Sequence, residues 1–178
     1  MSKKSIFLAL FISVATFNFG FHIFESINWN LKSTGVSITF QGGRVKGNIT
    51  GIKATLLFDE ANPEKSHLAA VLDVNTVTTG SGLMDKHAKS ESGLNAEKFK
   101  TITFESTAVL KKPEGYHALG KLTLKGVSKE IVLPFTFENK GTEGLFKGKI
   151  TLFTKDYGIT RWGTPDQLDI DIVVSVSK

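Results

Sequence analysis

From Ile27 onward, apolar and polar residues alternate in short runs with a period of two. Val36, Ile38 and Phe40 alternate with Ser37 and Thr39, and Ala54, Leu56 and Phe58 follow the same rule against Lys53 and Thr55. Leu68, Ala70, Leu72 and Val74 form another row, as do Ile102 with Phe104, Leu122 with Leu124, and Ile131 to Phe137 at alternate positions. Ile150 and Leu152 come next, and the last run sets Leu168, Ile170, Ile172, Val174 and Val176 against Asp169, Asp171 and Ser175. Side chains on a strand point to opposite faces in turn, so each run predicts a strand with one buried face. Turn signals separate the runs: Gly42-Gly43, Asp59 to Pro63, Pro113-Glu114-Gly115, Lys125-Gly126, Asn139-Lys140-Gly141 and Gly163-Thr164-Pro165. Connections this short imply an antiparallel meander, closed as a barrel or folded as a sandwich. The exception is Gly80 to Lys100, read as a long loop with one or two short helical turns and Asn95 as a candidate N-cap.

The first 26 residues break this pattern. Lys3 and Lys4 precede the apolar stretch Ile6 to Ala15, and Ser13-Val14-Ala15 is an imperfect small-residue cleavage pattern. A basic start before a short apolar core reads as a secretory signal, which places the remainder in the periplasm or medium. Apolar character continues through Phe17, Phe19, Phe21 and Phe24, so an uncleaved anchor is the alternative. Residues 27–178 read as one domain, with no repeat and no low-complexity tract.

Composition narrows the chemistry. A chain of 178 residues that is 40% hydrophobic with a net charge of +5 can bury a core, so disorder is excluded as its main state. Zero cysteine removes disulfides, thiolate metal sites and a cysteine nucleophile. The lysines are scattered without aromatic interleaving, which argues against nucleic-acid binding. His22, His67, His87 and His117 stand in separate segments, none with an i+4 partner, so no metal site is expected. No serine lies in a nucleophile-elbow pattern. Asp85 and His87 are close in sequence, but residues two apart on a helical turn face different ways, and they are read as solvated loop polars rather than a dyad. Gly42 to Gly47 is read as a hairpin rather than a phosphate loop, because it opens no helix and lacks the Gly-Lys-Ser/Thr ending. What remains is the apolar face, whose inward positions either pack against one another or enclose a ligand.

Three ordered blocks carry a resemblance: Thr101 to Thr107, Gly120 to Phe135, and Asp156-Tyr157-Gly158-Ile159. With them the chain, from about Trp29 to Val176, resembles the YceI-like family of polyisoprenoid-binding, lipocalin-like barrels. Asp85-Lys86-His87 is similar to the family's Arg-Asp-x-His loop, with Met84 where arginine is expected. The resemblance implies an all-β, antiparallel, eight-stranded barrel without catalytic activity or cofactor. Its bore would hold an isoprenoid or other long-chain lipid, a quinone among them, for sequestration or transport. Phe40, Leu56, Leu72, Phe104, Leu124, Phe135, Ile150 and Ile172 are the expected bore residues. Asp85, His87, Asp156 and Arg161 are expected near a polar mouth, Arg161 either meeting a ligand head or pairing with Asp156 or Asp166 to fix its loop. Transient membrane contact and a homodimer are further expectations. The alternative is a packed-core barrel that acts as a protein-interaction module, with Gly80 to Lys100 as its contact surface.

Overall fold

A computed structural model describes residues 27–178, and the expected signal or anchor lies outside them. The strands are β1 (Asn28–Gly42), β2 (Val45–Ile49), β3 (Ile52–Leu57), β4 (His67–Asp73), β5 (Thr101–Lys112), β6 (Gly115–Leu124), β7 (Val127–Lys140), β8 (Glu143–Phe153) and β9 (Gln167–Ser177). All pair antiparallel in one sheet, and β1 also pairs with β9, which closes the sheet on itself. The sandwich alternative is thereby excluded. Because β2 and β3 both lie against β1, at opposite ends of it, they act as one interrupted stave of an eight-stave barrel. One helix, α1 (Gly82–Lys89), stands in the β4–β5 connection.

The interruption has a local cause. At Thr50-Gly51 the chain turns to the β4–β5 connection: Asn48 and Thr78 exchange backbone hydrogen bonds, the Gly51 amide donates to Thr76 Oγ1 at 2.9 Å, and Gly51 O accepts from Asp73 N. A Cβ on Gly51 would lie 2.7 Å from the Thr76 methyl group, so this close approach requires glycine.

The end of the barrel holding the β5–β6 and β7–β8 turns is plugged by rings. Phe58, 1% exposed, sits edge-on to Tyr116, Phe137, Phe146 and Phe135, at centroid distances of 4.9, 5.1, 5.4 and 5.5 Å. Edge-to-face pairs add about 0.5–1.5 kcal/mol each beyond the area they bury. Trp29 donates its indole N–H to Phe58 O at 3.1 Å, which ties the start of β1 to this plug and satisfies a buried carbonyl. Aromatic residues of β6, β7 and β8 meet because the registers bring them side by side: Phe135 is paired with Tyr116 and Phe137 with Phe146.

The opposite end is built over by two connections. Leu94, Tyr157 and Ile159 pack on Leu122, Leu124, Ile102 and Leu152. The amides of Thr160 and Arg161 both donate to Ser92 O at 3.0 Å, which fastens the β8–β9 loop to the β4–β5 connection. Thr154 Oγ1 donates to Pro165 O at 2.8 Å, and Lys125 Nζ reaches Gly158 O at 2.7 Å. Gly158 takes the left-handed conformation, φ +65°, that ends the turn Thr154–Tyr157. Asn95, with φ +50°, opens a single turn and not a helix: its carbonyl accepts the amides of Lys98 and Phe99, and its Oδ1 accepts the Lys98 amide at 3.4 Å.

Candidate functional site

Between the ring plug and the cap lies a cavity of about 190 Å³, and every residue that lines it is apolar. Its wall is made by the inward positions of the strands, because alternation leaves the polar partners outside. Lys53, Lys121, Lys147 and Lys149 all lie exposed on the outer face. The space arises where small residues coincide. Ala54 is paired with Ala70, and Ala70 with Phe104, so two methyl groups occupy a level at which neighbouring rows carry Leu and Ile. Across the bore, Gly148 pairs with both Phe135 and Ile172.

Of the eight expected bore residues, Leu56, Leu72, Phe104, Leu124, Phe135, Ile150 and Ile172 line this cavity. Phe40 does not. It shares the inward parity of Ile38 and pairs with Ile170, which does line the cavity, but its ring lies over Gly47 of β2, where a Cβ would come within 2.4 Å of it. Sequence reading missed Ala70, Ile49, Ile52, Leu133 and Phe146 as wall residues. The alternation around Ala70 marked its face, but nothing local showed that its smallness would meet that of Ala54.

Among the described residues, no hydrogen bond or ion pair joins the four expected mouth residues to one another, and none of them lines the cavity. Asp85 accepts from Thr79 N at 2.6 Å, Thr79 Oγ1 at 2.7 Å and Thr78 Oγ1 at 2.9 Å. It is thus a clamp that ties α1 to the segment bonded to β2, and not a solvated loop polar. The Thr79 hydroxyl and amide hold its carboxyl below the ordinary carboxylate range. His87 serves through its backbone: its carbonyl accepts the Ser90 amide and hydroxyl. Asp156 pairs with Lys129 at 3.2 Å and Asp166 with Lys155 at 2.7 Å. The expected pairing of Arg161 with either carboxylate is therefore corrected, since lysines on neighbouring elements already occupy both. The Arg161 Nε is buried without a hydrogen-bond partner. Burial pushes the Tyr157 hydroxyl up from its ordinary range, as expected for a residue in the apolar cap.

Among the described residues, no group of three or more His, Asp or Glu side chains is placed to hold a metal ion. The chemistry available in the cavity is dispersion and exclusion of water.

Comparison with known proteins follows the same outline. The model of the YceI-like domain matches residues 29–176. A UPF0312 protein of Yersinia pestis is 31% identical over 163 residues, covering 88% of this chain and 81% of its own length. Among solved structures, Burkholderia cenocepacia BcnA superposes with a TM-score of 0.74 at 19% identity, covering 82% of this chain and 99% of its own. The Campylobacter jejuni YCEI protein gives 0.70 at 24%, covering 78% and 87%. A polyisoprenoid binding domain from Saccharophagus degradans gives 0.57 at 12%, covering 84% and 97%. The structural likenesses show a shared barrel; the domain match across nearly all described residues, together with the Yersinia relative, shows more, and the chain belongs to the YceI-like family.

Proposed function

We propose that this protein is a non-catalytic carrier that holds an isoprenoid or similar long-chain lipid, such as a quinone, in the bore of its barrel. The carrying observation is the cavity: about 190 Å³ without a polar side chain in its wall. A packed barrel would fill that space, because an apolar void forfeits contacts at about 24 cal/mol per Å³. Apolar cavities of about 150 Å³ stay dry and take up a benzene ring, so this one has room for about seven or eight carbons. That is one isoprene unit and part of a second. The walls are leucine, isoleucine and phenylalanine, which match a bent, methyl-branched chain by contact alone, at about 0.8 kcal/mol for each buried carbon. The Saccharophagus neighbour, described as polyisoprenoid-binding, supports the choice of ligand class.

Export belongs to this reading. The basic and apolar pattern of Met1 to Ala15 supports passage into the periplasm or medium, where an insoluble lipid needs an enclosed carrier. Native mass spectrometry of protein purified from its host should reveal a long-chain lipid released on denaturation. Repeatedly empty protein that also takes up no added isoprenoid quinone would refute the reading. N-terminal sequencing of fractionated protein should find a mature start between about residues 16 and 27; intact Met1 in the membrane would show the anchor instead.

A further inference from the structure

The lipid reading leaves a path unexplained, since both ends of the barrel are built over. A ligand entering past the plug would have to separate Phe58 from four aromatic neighbours and break the Trp29 hydrogen bond. Entry through the cap would require breaking the two bonds to Ser92 O and lifting Tyr157 and Ile159 off the wall.

One stretch of the wall lacks these ties. β1 is paired with β3 only at Asn28–Leu57 and Trp29–Leu56, and with β2 only from Ile38–Ile49 to Gly42–Val45. Between Trp29–Leu56 and Ile38–Ile49 no ladder pairs join β1 to its neighbour among the described residues. All other neighbouring staves are joined by runs of at least five successive or nearly successive pairs. The gap is built from both sides. On one side, Gly51 is bound to Asp73 and Thr76, which draws the β2–β3 junction toward the β4–β5 connection. On the other, the register of β1 against β9 shifts between Leu31 and Val36, and Gly35 lies so close to Ser175 that a Cβ would come within 2.3 Å of the serine Cβ. β1 is thus held to β9 on either side of residues 32–35, while the β2–β3 stave is held to Asp73 and the segment following β4.

The gap opens on the cavity. Ile52 and Ala54 on its β3 side and Ile38 on its β1 side are cavity-lining residues. Outside, Asn30, Thr34, Ser37, Lys53 and Thr55 are exposed, so water can serve the unpaired backbone groups. We propose that this seam between β1 and β3 is a lateral portal through which the lipid chain enters and leaves, with the ends of the barrel remaining closed. The proposal rests on the lipid reading. It also accounts for the modest size of the cavity: a chain longer than about eight carbons needs the walls to part, and the seam is where they part without breaking a rung.

The portal can be stapled. Extending the two registers places Asn30 opposite Thr55 and Ser37 opposite Thr50, all with exposed side chains, and the chain has no cysteine of its own. Two double variants are made, Asn30→Cys with Thr55→Cys and Ser37→Cys with Thr50→Cys. A control, Thr136→Cys with Lys147→Cys, bridges an intact rung of β7–β8. Uptake and release of a quinone with two isoprene units are followed by stopped-flow quenching of tryptophan fluorescence, with disulfide formation confirmed by mass. Oxidation should slow both rates at least tenfold in either seam variant and leave the control unchanged, and reductant should restore the rates. Equal rates in the oxidised and reduced seam variants, or equal slowing in the control, would overturn the portal while leaving lipid binding intact. Failure of the unsubstituted protein to bind any quinone would instead refute the lipid reading, and the portal with it.

Discussion

Replacing Ala54 with phenylalanine separates an occupied bore from a packed one. The Ala54 methyl faces the cavity at the level of Ala70 and Phe104, where the wall is thinnest in side-chain volume. A phenyl group brings six carbons into a space with room for about seven or eight. It therefore displaces about one isoprene unit of ligand, five carbons at about 0.8 kcal/mol each, or about 4 kcal/mol. That corresponds to nearly a thousandfold rise in Kd. Because the ring fills an existing void, the melting temperature of the ligand-free protein should hold or rise. In a packed core the same ring would overpack, costing about 1–3 kcal/mol, or a fall of roughly 2–12 °C for a domain of this size. The assay pairs quinone titration by tryptophan quenching with thermal unfolding of delipidated protein. Unchanged affinity at unchanged melting temperature would show that the ligand does not occupy this level of the bore. A clear drop in melting temperature would show that the cavity is not available space.

Phe58→Ala should destabilise the barrel by about 3–5 kcal/mol in urea unfolding, since it removes the hub of the ring plug; a loss below about 1 kcal/mol would show that the plug is redundant. The Asp85 carboxyl titrates below its ordinary value of 3.8 in the folded chain. Its contribution to holding α1 is present above that value and fades as pH falls through the lower folded value, so amide protection of α1 should weaken on acidification below about pH 4. Asp85→Asn should lack this dependence, and identical protection profiles for the two proteins would refute the clamp. Arg161→Ala separates the two roles weighed for this residue: a loss of about tenfold, the scale of one charge-assisted hydrogen bond, confined to isoprenoids with a phosphate or carbonyl head would show a ligand contact. Equal losses for both classes with a lower melting temperature would show that Arg161 holds its loop.

Strand faces and most turn positions were legible in the chain because they depend on local rules, whereas the count of eight staves came from the resemblance and the short β2 with its break at Thr50-Gly51 was not read as a run of its own. A period of two reports a half-buried strand whatever its neighbours are, and Gly43, Gly126 and Gly141 adopt the positive φ values that their turns demand. The same rules identified seven wall residues, since parity alone decides which face a side chain takes. Parity does not say what a side chain packs on, and so Phe40, on the correct face and paired with a wall residue, covers Gly47 and not the cavity. The partners of the expected mouth residues were not legible for a related reason. Whether Asp85 meets Thr78 and Thr79, or Arg161 meets Asp166, depends on how long connections fold back, and no pattern along the chain encodes that.

What the sequence by itself determined is therefore the inventory: an all-β chain with an apolar inner row and outward lysines. Tertiary structure decided closure, space and access. Pairing of β1 with β9 made the sheet a barrel, and cross-strand register set Ala54 beside Ala70 so that a void remained. Bonds at Gly51 and the register shift of β1 beside Gly35 drew two staves apart. Each of these outcomes joins residues distant in sequence, and their meeting is fixed by register and loop geometry rather than by the identity of any one of them.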